Sequence, residues 1–340
     1  MFRRIFNLLA HPWRIPSKIM AHFRNPLVVR IKACFELDAE RFLMHAGFRS
    51  RSKSYDEALI VVGYHAVEKG LTMPNRRLSF GHDNLRALMA NIRAFKSKYG
   101  NLTVQVSHGV SVIAEYWHLH KSFDMSKDVE YWHAIESFVS EFGDGSYEAQ
   151  TRVTSGAFYA KKTAAFPDFA RARHTLRQYT GTISEAEICA AVELAQTAPS
   201  ACNRQPVRIF CVEGKGKDEI LRFQSGNRGF GPAGDKLLIV TGELGTICWP
   251  EERHDVYTNC GIFLMNLSYA LFYSEIAHCI LNWSIATDPS QEAMVREIAK
   301  IPDSQIIAAM VICGKAPDEV DVAASPRKPV AEILTFVHDN

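Results

Sequence analysis

Apolar residues recur at helical spacing through the first half of the chain. In "HDNLRALMANIRAFKSKYG" Leu85, Leu88, Met89, Ile92 and Phe95 share one helical face, and Gly100 supplies a stop. "VSVIAEYWHLHKSF" and "VEYWHAIESFVSEFGDG" continue that spacing, the second ending in a Gly-Asp-Gly breaker at 143–145. Residues 1–165 are therefore expected to be mostly helical, with "KTAAFPDF" (162–169) as the junction to a second domain, 166–340. There the pattern alternates. It predicts a helix over 184–197, strands at 207–212 and 236–241, and a long buried helix over 256–274. A short strand near 278–283, a helix over 289–300 and a strand over 305–313 follow. This is α+β material, with helices packed on one sheet.

The helix before residue 198 is specified in unusual detail. Ser184 as N-cap and Glu187 three positions on form a capping box, and Ile183 and Ile188 are placed as a hydrophobic staple. Ala198 precedes a proline, which pushes it out of helical geometry. The stretch that follows, "APSACNRQP" (198–206), joins this helix to the strand "VRIFCV". Ser200 and Ala201 are small enough to let another group approach the backbone. Asn203 and Gln205 each offer a carbonyl acceptor and an amide donor, which suits the edge of a flat heterocycle. A tidy helix-to-strand connection with surface amides accounts for the same residues.

Composition narrows the class. At 340 residues, two domains are the better expectation, and 47% hydrophobic with 22% charged residues is ordinary for a folded chain. A net charge of +2 gives no global field for nucleic acid, so no nucleic-acid partner is expected. The charge is nonetheless uneven: residues 1–53 hold eleven Lys/Arg against three Asp/Glu. The opening segment, with Phe2, Phe6, Trp13 and Phe23 among its basic residues, could dock peripherally at an anionic membrane surface or cover the protein's own core. It has no sustained apolar run or cleavage site of a secretory signal. Eight scattered cysteines without a C-x-x-C pair point to a reducing compartment, hence the cytoplasm.

Upstream of the loop lies "RARHTLRQY", where Arg173, His174, Thr175 and Arg177 gather two guanidiniums, an imidazole and a hydroxyl within five residues. Phosphate recognition uses that mixture. A second basic cluster, "SPRKP", places Arg327 and Lys328 between prolines. Either cluster alone also reads as a solvated charged face.

Taken together, the R-H-T-x-R run, the capped helix, A-P-S-A-x-N-x-Q-P, a strand, a buried helix and a late R-K-P resemble the nitroreductase-like family of flavoproteins, over about 170–340. The resemblance implies an α+β sandwich that forms a homodimer, with FMN bound in the dimer interface. It implies that Arg173, His174, Thr175, Arg177 and the late basic pair Arg327 and Lys328 meet the FMN phosphate. It implies that Pro199, Ser200, Ala201, Asn203 and Gln205 line the isoalloxazine and ribityl groups. Two departures stand out. Val207 occupies a position where tryptophan is frequent, and Glu275, Ile276 and Ala277 replace a glycine-rich run, which bears on the flavin pocket. "YHAVEKGLTMPNRRLSFG" (64–81) resembles a segment found upstream of nitroreductase-like domains encoded among polysaccharide-assembly enzymes. Its His65, Glu68, Lys69, Arg76 and Arg77 suit either a second binding surface or a charged helix end.

Other motifs fall away. "GFGPAG" (229–234) is followed by a strand, "DKLLIV", rather than preceded by one, so it is no dinucleotide fingerprint. His118, His120 and His133 lack suitably spaced carboxylate or thiolate partners for a metal. The reading is an FMN-dependent oxidoreductase moving hydride from NAD(P)H to a small organic acceptor by a ping-pong scheme, without a required acid or base residue. The alternative is a redox-impaired nitroreductase-like accessory protein in polysaccharide biosynthesis.

Overall fold

The computed structural model describes residues 25–45, 52–73, 76–122, 125, 127–143, 149–283 and 289–338. The opening basic segment, with Phe2, Phe6, Trp13 and Phe23, lies outside these residues. So do Asp144 and Gly145 of the breaker. No described helix is long and apolar enough to cross a membrane.

The chain divides into two compact units. In the smaller, helix α1 (Pro26–His45) packs with residues 247–254. Arg253 donates to both Asp38 oxygens at 2.6 and 2.5 Å, and His254 lies 2.9 Å away. These bonds, Arg253 first, hold the Asp38 carboxyl down to about 2 against the small opposing effect of burial. Leu27, Val29, Phe35, Leu37, Phe42 and Met44 of α1 are exposed.

The larger unit spans 53–246 and 255–338. It begins with helices α2 (Lys53–Leu71), α3 (His82–Tyr99), α4 (Val104–His120) and α5 (Val129–Phe142). The five apolar residues predicted on one face of α3 are all buried, in a core shared with Ile60, Val67, Ile113, Tyr116 and Phe138. Each such side chain contributes about 1.5–3 kcal/mol on burial. His120 is fully buried: Ser79 N–H donates to its Nε2 at 2.8 Å, so its Nδ1–H donates 2.7 Å to Tyr116 O. His118 and His133 are exposed, and no group that could hold a metal occurs among the described residues.

Then follow β1 (Gln150–Thr154), α6 (Ser155–Tyr159), α7 (Phe166–Ala172), α8 (Glu185–Ala195), β2 (Val207–Glu213) and α9 (Gly214–Phe223). After them come β3 (Lys236–Glu243), α10 (Asp255–Tyr273), β4 (Ile276–Asn282), α11 (Pro289–Ala299), β5 (Gln305–Lys315) and β6 (Glu319–Ala323). A four-stranded antiparallel sheet runs β2-β3-β5-β4, and β1 pairs with β6. Strand residues alternate between faces. Leu237 and Ile239 share a core with Ile220 of α9 and Val295 of α11. The opposite face meets α10, so closely that a Cβ on Gly242 would stand 2.1 Å from Val256 Cγ1. Helices on both faces of an antiparallel sheet make an α+β sandwich, as expected.

The long apolar helix α10 is buried along one face only. Val256, Cys260, Phe263, Leu267 and Leu271 are inside, while Tyr257, Ile262 and Met265 are exposed beside Gly261. Strand β1 interrupts the region read as helical, because its partner β6 lies 169 residues away in register, Arg152 opposite Asp321.

Candidate functional site

After α7 the chain runs extended alongside β4, where Leu176 N–H donates to His278 O at 3.1 Å. Leu176 and Gln178 turn inward; Gln178 donates 2.9 Å to Asp321 and accepts from Asp321 N–H at 2.7 Å. Arg173, Thr175 and Arg177 occupy the alternate positions. Nε of Arg173 and Nε of Arg177 are both buried with no hydrogen-bond partner. Leaving such a donor unmet costs about 1–3 kcal/mol.

Arg327 joins this group from the other end of the domain. Burial pushes the Arg173 guanidinium pKa down, and Arg327 adds to it. His174 is lowered by burial first, then by Arg173 and Arg327. No carboxylate bonds to Arg173, His174 or Arg327 among the described residues. Cations that repel one another at a desolvated site, without an internal counter-charge, form a place for an anion.

Lys328 goes elsewhere. It pairs with the buried Glu57 of α2 and lies 3.9 Å from Glu332. Burial would raise the Glu57 pKa, but bonds from Lys328 and Thr103 outweigh it and hold it low. Gln105 of α4 donates to Pro326 O at 2.9 Å and accepts from Tyr64 Oη at 2.5 Å. The segment 326–328 is thus gripped by α2 and α4, with Lys328 paired to Glu57 and the exposed Arg327 donating to Ser325 O.

The loop 198–206 forms a separate feature. Its backbone is left-handed at Cys202 (φ 52°), Asn203 (φ 54°) and Gln205 (φ 48°). Three such non-glycine residues in one short loop cost energy that the surroundings must offset. Ala201 N–H donates 3.0 Å to Asn259 Oδ1 of α10, and Gln205 N–H donates 3.0 Å to Ser200 Oγ. Gln205 Nε2 donates 3.1 Å to Asn203 Oδ1, so the two carboxamides partly satisfy one another. Arg204 reaches Thr246 O at 2.8 Å. A cleft of about 410 Å³ opens here, lined by Gln196, Pro199, Ser200, Gln205, Asn259 and Phe263.

No lining residue of that cleft comes from 173–177 or 325–328. Within one chain the predicted residues therefore form two groups. Pro199, Ser200, Ala201, Asn203 and Gln205 belong to the loop, while Arg173, His174 and Arg327, whose charges act on one another, do not line its cleft. Arg177 lies further along, its Cζ 5.9 Å from the Phe230 ring centroid. Asn259, which pins the loop, was not anticipated; its only signal is an amide amid the apolar residues of α10. Glu275 has a left-handed φ of 54° and pairs with Lys162 at 2.7 Å, so its charge has its own counter-ion. In the 64–81 segment, Glu68 is 1% exposed and bound by His108 at 3.0 Å and His65 at 3.4 Å. Burial would raise it, and those bonds hold it at about 2.

The sequence model of the nitroreductase family matches residues 170–228, which include both the R-H-T-x-R run and the 198–206 loop. No curated protein matches the chain. Among solved structures, the chain is similar to a nitroreductase family protein from Clostridium difficile 630: 18% identity, 51% of this chain, 98% of that one, TM-score 0.42. It is similar to a protein from Desulfovibrio desulfuricans assigned as a nitroreductase, in complex with FMN: 18% identity, 51% and 97% of the chains, TM-score 0.42. It is also similar to a protein from Staphylococcus epidermidis assigned as an NAD(P)H:FMN oxidoreductase: 15% identity, 51% and 96%, TM-score 0.45. Over residues 170–228 this chain is similar to the nitroreductase family.

Proposed function

We propose that the protein is an FMN-dependent oxidoreductase that takes hydride from NAD(P)H and passes it to a small organic acceptor in two half-reactions at one site. The observation that carries the proposal is that the charges of Arg173, His174 and Arg327 act on one another with no bonded carboxylate among the described residues, while the Arg173 Nε is buried and unpartnered. Such a donor set fits a phosphomonoester, which carries nearly two negative charges at neutral pH. Arg173, His174, Thr175 and Arg327 would hold the phosphate. The 198–206 loop would face the ring, its small Ser200 and Ala201 allowing close approach. When bound, the flavin supplies the hydride chemistry; the chain's own residues bind it, orient it and tune its charge. No side chain need move a proton in this scheme.

The two groups of residues would be joined in a homodimer. The exposed stripe of Tyr257, Ile262 and Met265 on α10, beside Gly261, lies on the helix whose Asn259 pins the loop. It supports pairing next to the cleft. The eight cysteines are all free, which supports a cytoplasmic location. Peripheral membrane contact through residues 1–25 would show as sedimentation with anionic vesicles, lost on their deletion.

The decisive variant is Arg173→Ala. Losing one charge-assisted contact of about 1.5–3 kcal/mol should weaken FMN binding by roughly ten- to a hundredfold, read from flavin absorbance after dialysis. Unchanged retention would overturn the proposal. A second reading, a redox-impaired accessory protein of polysaccharide assembly, is favoured by Glu275 at a position of glycine-like backbone. Anaerobic titration with NADH and NADPH separates the two: bleaching of bound flavin selects the oxidoreductase, and a flavin that stays oxidised selects the accessory protein.

A further inference from the structure

A second cationic cleft lies where the helical half meets the family segment. It encloses about 490 Å³ and is lined by Lys69 and Met73 at the end of α2, Arg77 and Phe80 of the following loop, and Arg228 of the 225–230 turn. Lys69 donates to Gly226 O at 2.7 Å, which fixes the turn to α2. Gly229 has a φ of +87°, and a Cβ there would stand 3.0 Å from Met73 Sδ, so the two walls meet closely.

The charges in this cleft have no internal answer. No carboxylate is bonded to Lys69, Arg77 or Arg228 among the described residues. Lys69 Nζ lies 5.5 Å and Arg177 Cζ 5.9 Å from the centroid of the same buried ring, Phe230. Arg177 is only 9% exposed, and its Nε has no partner. A shared aromatic face offsets some of this repulsion, but cation–π contacts contribute only about 0.5–2 kcal/mol each. Burial lowers the Lys69 pKa, and Arg177 and Arg228 lower it further. Phe80 and Met73 give the cleft an apolar wall opposite the cations. A charged rim of Arg and Lys next to such a wall suits a small organic molecule bearing phosphate.

We propose that this cleft is a phosphate-recognition site for a phosphorylated small molecule, built jointly by Lys69, Met73, Arg77 and Phe80 of the helical half and Arg228 of the family segment. The helical half would thereby contribute Lys69 and Arg77 to ligand binding. This assignment stands on the cleft's own residues, not on the Arg173 group. The phosphate has two chemical sources, the flavin nucleotide or a separate phosphorylated substrate, and the test distinguishes them.

The full chain is titrated calorimetrically with sodium pyrophosphate and with FMN, at low and high salt. Arg77→Gln removes an exposed charge and leaves the fold intact. Lys69→Met removes the half-buried one, and Lys69→Arg restores it. Each neutral variant should weaken binding by about tenfold, with Lys69→Arg recovering most of it, and affinity should fall as salt rises. Loss confined to FMN assigns the cleft to the cofactor's phosphate. Loss of pyrophosphate binding to the FMN-loaded protein assigns it to a separate substrate. If neither variant changes either affinity by more than about twofold, the site is refuted, whatever Arg173→Ala does to flavin retention.

Discussion

His278 sits wholly inside β4, its Nδ1–H donating 3.0 Å to Ile276 O and its Nε2 2.7 Å from the Ser268 hydroxyl. The carbonyl fixes Nδ1 as the protonated nitrogen, so Nε2 accepts from Ser268. Burial lowers its pKa to about 4, with Arg173 acting in the same direction. The folded state thus keeps it neutral while an unfolded chain protonates it near 6.5. Stability is full above pH 6.5 and falls as pH drops toward 4, by roughly 3 kcal/mol. Denaturant unfolding of the wild type should show that slope, and His278→Gln should flatten it between pH 6.5 and 4.5. Residue-scale legibility was uneven for a physical reason. Arg327 and Lys328 are neighbours of like charge in the sequence, yet Lys328 pairs with Glu57 while Arg327 donates to Ser325 O. Their difference is set by a carboxylate 271 positions away, which no local pattern reveals.

At the scale of elements, α8 shows what local chemistry can specify. Both capping-box bonds form, Glu187 N–H to Ser184 Oγ at 3.3 Å and Ser184 N–H to Glu187 Oε2 at 2.9 Å. Ile183 and Ile188 are buried as a staple requires. All of this lies within six residues, and so could be read in advance. Glu187 also pairs with Lys315 of β5. That bond first, then those from Ser184, bring the Glu187 pKa down to about 2. Its contribution is present above pH 4.5 and lost as pH falls toward 2. Both side chains are more than a third exposed, so Lys315→Met should cost only about 0.5–1 kcal/mol at neutral pH, with the difference from wild type vanishing near pH 2 in thermal melts. Strand β1 illustrates the opposite case. "QTRVT" has little apolar content, and its place in a sheet depends on a distant partner and on the Arg152–Asp321 bridge at 2.9 Å.

For the whole molecule, the α+β class followed from apolar periodicity and the sandwich from the family resemblance, but the union of its halves followed from neither. Periodicity marks which face is buried, not which element buries it. If the proposed homodimer pairs through the exposed stripe of α10, Ile262→Glu should shift it from dimer to monomer in sedimentation velocity and weaken flavin binding together with it. A variant that stays dimeric with unchanged flavin content would place the interface elsewhere.

The hold of α2 and α4 on residues 326–328 has a consequence for the order of events during synthesis. Glu57, Tyr64 and Gln105 leave the ribosome more than two hundred residues before Pro326 and Lys328, the groups that answer them. A chain that pauses in between holds a carboxylate in the helical layer with its cation still unmade. The apolar core of that layer can form early, but the polar contacts of Glu57 and Gln105 to the late segment are the last of it to be made.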